Sequence, residues 1–142
     1  MTWTNDADTM RRLLTTPGRW AIVGLSDNPE RTAWKIAGFV ADELGHEIVP
    51  VHPKAETVHG RQGYPSLADV PGRIDVVDVF VRSELAGAVV DEAIAAGAGA
   101  VWLQVDVVDE EAAQRAAAAG LDVVMDTCPK IQATRLGLLD LL

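Results

Sequence analysis

Hydrophobic residues along the chain form five short apolar segments separated by longer amphipathic ones. The apolar segments are rich in valine and isoleucine and do not alternate with polar residues, as is typical of strands buried on both faces of a parallel sheet. We predict strands at 19–23, 47–51, 74–81, 100–103 and 122–125. We predict helices at 6–14, 32–44, 84–96 and 109–119, and a short last helix after Pro129.

Strands that alternate with helices of this length predict a doubly wound α/β fold, a parallel sheet with helices on both faces. We favour the strand order 2-1-3-4-5, with a short edge strand at 61–64 in the loop-rich segment 53–71. Ligands of such sheets bind where the strand order reverses, at the carboxyl ends of strands one and three. Those ends carry Gly24, Leu25 and Ser26, and Phe80, Val81 and Arg82.

Composition narrows the class of protein. A chain of 142 residues, 49% hydrophobic, suits one domain over residues 1–142, with its core at about 19–136. The net charge of −9 argues against a nucleic-acid or anionic-membrane partner, and the apolar runs are too short to span a bilayer. No signal peptide is expected, and the single cysteine, Cys128, fits a reducing compartment. We therefore expect a cytoplasmic protein.

The segment from Trp20 to Thr32 is the strongest candidate for a ligand site. An apolar strand runs into a turn at Gly24, a polar loop and a helix start, and such an arrangement presents backbone N–H groups to an anion. The loop does not match the G-x-G-x-x-G dinucleotide motif, because Ser26 stands where the second glycine would be. An ordinary strand-to-helix connection is the alternative interpretation.

The residues at the end of the second strand favour a ligand that carries a phosphate on its ribose. A nicotinamide site expects an acidic residue there to hold the ribose hydroxyls, whereas this chain has His52, Pro53 and Lys54. A basic residue at that place suits a phosphate-bearing ribose. A solvated lysine and a half-buried histidine are the alternatives.

Cations also gather at the start of the first crossover helix. Arg31 and Lys35 are four residues apart and oppose the helix dipole, so a bound anion would offset their repulsion. Pairing with Asp27 or Glu30 is the alternative. Arg82, at the end of the third strand, would reach the same ligand.

The sequence shows no catalytic or metal-binding constellation. The three histidines match no metal motif, and Cys128 is expected to be a small buried side chain. Asp78, inside the third strand, needs hydrogen bonds to be buried, and we expect loop N–H groups to supply them.

Six segments in order resemble the small single-domain CoA-binding proteins and the CoA-binding N-terminal domain of the succinyl-CoA synthetase α subunit. The resemblance covers about residues 20–136. It is carried by 22–29 (IVGLSDNP), 49–54 (VPVHPK), 64–71 (YPSLADVP), 74–80 (IDVVDVF), 101–104 (VWLQ) and 124–130 (VMDTCPK).

The resemblance implies a Rossmann-like domain that binds coenzyme A or an acyl-CoA at the carboxyl edge of its sheet. It implies that the first loop holds phosphate, that the end of strand two faces the nucleotide, and that the end of strand three lines the adenine or pantetheine path. Together with the residue patterns, it predicts a cofactor site made of Gly24, Leu25, Ser26, Arg31, Thr32, Lys35, His52, Pro53, Lys54, Phe80, Val81, Arg82 and Gln104.

Three positions depart from the family pattern. Asp106 stands where the family has glycine, Thr127 stands where it often has arginine, and Val81 separates Phe80 from Arg82. A carboxylate at 106 would weaken the binding of a polyanion or displace the loop. The synthetase's phosphohistidine belongs to a second domain outside the resemblance, and no residue here replaces it.

We therefore expect a non-catalytic CoA-binding module, alone, as a homodimer or with a partner subunit. One alternative is a nicotinamide-nucleotide-dependent or acyl-CoA-handling enzyme subunit that needs a partner chain. Another is an interaction domain whose ligand site has decayed. The acyl group, the pathway and the oligomeric state do not follow from the sequence.

Overall fold

The structure is a computed structural model that describes residues 3–139. Five parallel strands form one sheet in the order β2-β1-β3-β4-β5, which confirms the predicted α/β class and strand order. The strands are β1 (Arg19–Val23), β2 (Glu47–Val51), β3 (Val76–Val79), β4 (Ala100–Leu103) and β5 (Asp122–Val124).

Five helices cover the sheet on both faces. They are α1 (Ala7–Thr15), α2 (Thr32–Asp42), α3 (Ser83–Ala95), α4 (Glu110–Ala118) and α5 (Pro129–Arg135). Apolar side chains of α1, α2 and α5 form one buried cluster with one face of the sheet, and those of α3 and α4 form a second cluster on the other face. Each strand therefore lies between two apolar layers, as the continuous Val/Ile runs predict.

Alternate residues of each strand supply the two clusters. On β1, Trp20 and Ile22 point to the α1, α2 and α5 side, and Ala21 points to the other. Trp20 and Trp102 are fully buried, with ring centroids 5.8 Å apart. Burying side chains of this size contributes about 1.5–3 kcal/mol each.

The edge strand predicted at 61–64 is wrong. Tyr64 makes one parallel bridge to Val51, and Arg61 makes one antiparallel bridge to Val58, so this segment contains only isolated bridges. Pro65 follows directly and has no N–H to extend the pairing. The third strand is also shorter than predicted: β3 spans Val76–Val79, whereas the sequence predicted 74–81.

The carboxyl ends of three adjacent strands, β2, β1 and β3, meet at Gly24. Its N–H donates to the Val51 carbonyl of β2 at 2.8 Å, and the Phe80 N–H donates to the Val23 carbonyl at 2.9 Å. Gly24 has φ +96°, and a Cβ at this position would lie 2.3 Å from the Phe80 carbonyl oxygen. Only glycine allows this approach, so the first loop starts pressed against the end of β3.

The Gly24→Ala substitution is predicted to lower the free energy of unfolding more than Gly45→Ala. Both positions have positive φ, which costs alanine about 1–2 kcal/mol. Gly45 has no atom within 4 Å of a built Cβ, whereas Gly24 also meets backbone, which adds about 1–3 kcal/mol. Equilibrium urea denaturation of both variants measures the difference, and equal losses would contradict the close approach.

Candidate functional site

A cavity of about 1120 Å³ lies over the carboxyl edge of the sheet. Its lining includes residues from the ends of β1, β2, β3 and β4 and from the starts of α2, α3 and α5, so it spans the edge where the strand order reverses. Nine of the thirteen predicted site residues line it. They are Gly24, Arg31, Thr32, His52, Pro53, Phe80, Val81, Arg82 and Gln104.

The other four predicted residues lie outside this lining. The Leu25 side chain is fully buried in the cluster under α2, so it packs the core and does not face the cavity. Ser26 is half-buried, and Lys35 and Lys54 are exposed. Their binding roles remain predictions.

Hydrogen bonds within the first loop, and one from α2, fix the shape of the loop. The Asn28 side chain accepts from the Glu30 N–H at 3.0 Å, and the Asn28 carbonyl accepts from the Arg31 N–H at 3.0 Å. Asp27 accepts from the Trp34 indole at 3.3 Å. These bonds shape the chain into a turn that delivers Arg31 and Thr32 to the cavity.

The start of α2 offers unsatisfied positive potential. Its N-cap residue, Arg31, makes no side-chain capping bond, and its first turn contains no acidic residue. The first N–H groups of a helix have no partner within the helix, and an anion satisfies them well.

Among the described residues, the cations at the first loop and at the end of β3 form no ion pair. None of the four ion pairs found within residues 3–139 includes Arg31, Lys35 or Arg82. The alternative pairing of Arg31 and Lys35 with Asp27 or Glu30 is therefore absent from this part of the chain. Arg31 and Arg82 both line the cavity, and their charges are available to a ligand.

The loop after β4 is fixed between two neighbouring elements. The Asp106 N–H donates to the Asp126 carboxylate at 2.7 Å. Ser83 donates its hydroxyl to the Asp106 carbonyl and accepts from the Val108 N–H, each at 3.0 Å. Asp106 and Asp126 have φ of 67° and 61°, a region that aspartate tolerates better than most residues. Asp106 thus occupies a conformation that favours glycine, and it lines the cavity.

The expectation that loop N–H groups hold Asp78 is wrong. This fully buried carboxyl group accepts instead from the Gln104 side-chain amide, and its second oxygen, Oδ2, has no hydrogen-bond partner among the described residues. Burial raises the pKa of Asp78 to about 8, and the hydrogen bond from Gln104 only partly opposes the shift. Gln104 is thereby fixed at the cavity floor, 5% exposed.

Cys128 is held in the core by burial, and Thr127 is held by hydrogen bonds to neighbouring side chains. Cys128 is buried, as expected, and burial raises the pKa of its thiol, which disfavours the reactive thiolate. Thr127 accepts a hydrogen bond at its hydroxyl from Gln132 and at its carbonyl from Trp102. Within residues 3–139 no group of three or more His, Cys, Asp or Glu side chains could hold a metal ion.

One wall of the cavity was not predicted. Leu85, Ala88, Val89 and Glu92 of α3 line it at the spacing of a single helix face. The same spacing is typical of core packing, and the sequence carries no signal that separates the two roles. Ile131 on α5 was also missed.

Comparison with known proteins identifies the family. Residues 18–134 match the model of the CoA binding domain family. The chain belongs to this family. The match covers most of the chain and agrees with the resemblance found in the sequence.

Individual relatives resemble the chain over most of its length. The uncharacterized protein YneT of Bacillus subtilis is 38% identical over 122 residues, 86% of this chain and 90% of that protein. A hypothetical protein from Pyrococcus horikoshii has the same fold with a TM-score of 0.85, 38% identity, and 96% and 99% coverage of the two chains.

A larger enzyme contains the same fold as one part. The dinucleotide forming acetyl-coenzyme A synthetase 1 of Ca. Korarchaeum cryptofilum matches with a TM-score of 0.67 and 25% identity. The match covers 80% of this chain and 27% of the synthetase chain.

The helices that the structure describes, within residues 3–139, are all too short or too polar to span a membrane.

The Asp78→Asn variant is predicted to have a flatter dependence of stability on pH. The raised pKa means that folded Asp78 keeps a proton that the unfolded chain releases above about pH 4, near the ordinary value of 3.8. Stability therefore falls as the pH rises from about 4 towards 8, by up to about 1.4 kcal/mol per pH unit. Asparagine removes this slope.

Urea denaturation at several pH values measures the effect. Asp42→Asn, at an exposed carboxylate of α2, is the matched control and should follow the wild-type protein. Parallel curves for Asp78→Asn and the wild-type protein would show that Asp78 is charged in the folded state.

Proposed function

We propose that this protein binds coenzyme A or an acyl-CoA in the carboxyl-edge cavity and that it has no catalytic activity of its own. The observation that carries the proposal is the meeting of three features at the β1–β3 switch point. These are the close turn at Gly24, the uncapped start of α2, and the arginines Arg31 and Arg82, which form no ion pair within residues 3–139.

The charge distribution supports a phosphate ligand. The chain carries −9 overall, so a polyanion is repelled by the bulk of the molecule. Two arginines and the first N–H groups of α2 place positive potential at the β1–β3 part of the cavity, whereas the acidic lining residues, Glu92 and Asp106, lie on α3 and after β4. Arginine donates two parallel hydrogen bonds to phosphate, which suits the diphosphate of CoA.

The apolar lining supports the rest of the ligand. Pro53, Val81 and Val89 line the cavity beside the charged groups and offer flat or branched surface to adenine or to the pantetheine chain. Ligand sites in proteins combine such surfaces with a few polar groups that set the orientation. This cavity has that composition.

The end of β2 supports CoA over a nicotinamide nucleotide. Val51, His52 and Pro53 line the cavity there, and no acidic residue stands at these positions to hold ribose hydroxyls. The family match points in the same direction.

The absence of activity is proposed from the acid–base groups of the cavity. They are His52, Glu92, Asp106 and Cys128. Nucleophilic and general-base catalysis need such side chains within hydrogen-bond reach of one another. Among the described residues no hydrogen bond joins any two of these four side chains, and His52 accepts from the Lys54 N–H.

Isothermal titration with CoA, acetyl-CoA, NAD and NADP tests the ligand. CoA is expected to bind more tightly than either nicotinamide nucleotide. Arg31→Ala and Arg82→Ala should each weaken CoA binding by roughly 10-fold to 100-fold, because each removes a hydrogen bond from a charged group. Arg11→Ala, at an exposed arginine of α1 outside the cavity, is the control. Tighter binding of NAD or NADP, or no binding of CoA at millimolar concentration, would overturn the proposal.

The Asp106→Asn variant is predicted to bind CoA several times more tightly than the wild-type protein at low salt. The substitution removes a negative charge from the cavity wall, and asparagine keeps the tolerance for positive φ that this position requires. The gain should shrink as ionic strength rises, because salt screens the charge. Titration at two salt concentrations measures it, and a gain that is independent of salt would assign the effect to conformation instead.

A further inference from the structure

We propose that the end of the cavity between β4 and α5 is a subsite for an aliphatic acyl group, so that the preferred ligand is an acyl-CoA with a chain longer than acetyl. This inference rests on the proposed function, because it extends the same cavity beyond the part assigned to CoA itself.

The cations of the cavity lining lie at one end of the sheet edge, and apolar side chains predominate at the other. Arg31 and Arg82 are its only lysine or arginine residues among those described, and both belong to the β1–β3 part. Beyond β3 the described lining contains no cation: it includes the apolar Val105, Val107 and Ile131, together with Gln104, Asp106 and Cys128. Neighbouring strands lie about 4.8 Å apart, so the edge from β2 to β4, whose ends line the cavity, spans roughly 14 Å.

This polarity sets the direction of a bound CoA. Its phosphates belong at the cationic part, and its pantetheine arm then runs along the edge towards β4 and the start of α5. The thiol end reaches the part of the cavity where apolar side chains predominate. An acyl group on that sulfur would extend over Val105 and Ile131.

These apolar side chains are exposed in the absence of a ligand. Leu85, Val105 and Ile131 are 48%, 47% and 45% exposed, and all three line this cavity. They are three of the five large apolar side chains with such exposure among the described residues. Covering them with a hydrocarbon chain removes apolar surface from water, which favours binding.

The exposure of Val105 does not come from a loose loop. The loop from Val105 to Val108 is fixed by the hydrogen bonds of Ser83 and Asp126 to its backbone. Ser83 also begins α3, so the same bonds bring Leu85 and Val105 to one wall of the cavity. The apolar surface is therefore formed before a ligand binds.

Titration with CoA and with its acetyl, butyryl, hexanoyl and octanoyl thioesters tests the subsite. From acetyl upwards, each added methylene is expected to tighten binding by about twofold to fourfold, until the chain leaves the cavity. Val105→Ser and Ile131→Ser should reduce this increment and thus lower the ratio of octanoyl-CoA to CoA affinity by about 10-fold. Val108→Ser, 44% exposed but outside the lining, is the matched control and should leave the ratio unchanged.

The outcomes separate this inference from the proposed function. If CoA binds and the affinity does not rise with chain length, the acyl subsite is wrong and CoA binding stands. If neither CoA nor any thioester binds, both proposals fall. If the affinity is flat and Val105→Ser or Ile131→Ser instead dissociates a dimer in size-exclusion chromatography with light scattering, a second copy of the chain covers this surface and the acyl subsite is overturned.

Discussion

The contact between Gly24 and the end of β3 is the constraint on which the site depends. Parallel pairing brings the carboxyl ends of all five strands to one edge, but it does not bring the first loop against the third strand. The missing side chain at Gly24 does so, because it lets the backbone approach the Phe80 carbonyl. The loop can then turn over the edge and place the start of α2 beside Arg82.

The overall negative charge of the molecule leaves the attraction of a phosphate ligand to the local groups of the cavity. An acidic protein attracts phosphate poorly, so in the proposed complex with CoA the binding energy would have to come from groups that act at short range. Helix N–H groups and arginine hydrogen bonds act at that range, whereas the overall charge acts through screened solvent. Asp106 lines the same cavity, and its negative charge would oppose the proposed binding of an anion.

The fold was predictable from the sequence and the details of the site were only partly so. Buried parallel strands give long Val/Ile runs, and the glycine before the polar loop marks the end of β1. Lys54 could not be placed, because the sequence does not reveal where a loop lysine points. The side chains of α3 that line the cavity could not be predicted, because their spacing is the same as that of a helix face packed into the core. The bond between Asp106 and Asp126 joins residues 20 apart, and its geometry follows from the alignment of β4 with β5.

Asp78 connects the core with the site. A buried carboxyl group with an unpaired oxygen in a central strand is costly, and replacing it with a valine would fill similar space without that cost. What it provides is a fixed partner for Gln104, whose side chain would otherwise be free to rotate at the cavity floor. Only one carboxyl oxygen is satisfied, so the arrangement holds the amide in place at the expense of stability. Such a loss of stability at a cavity floor is typical of a residue that serves a site and not the packing of the core.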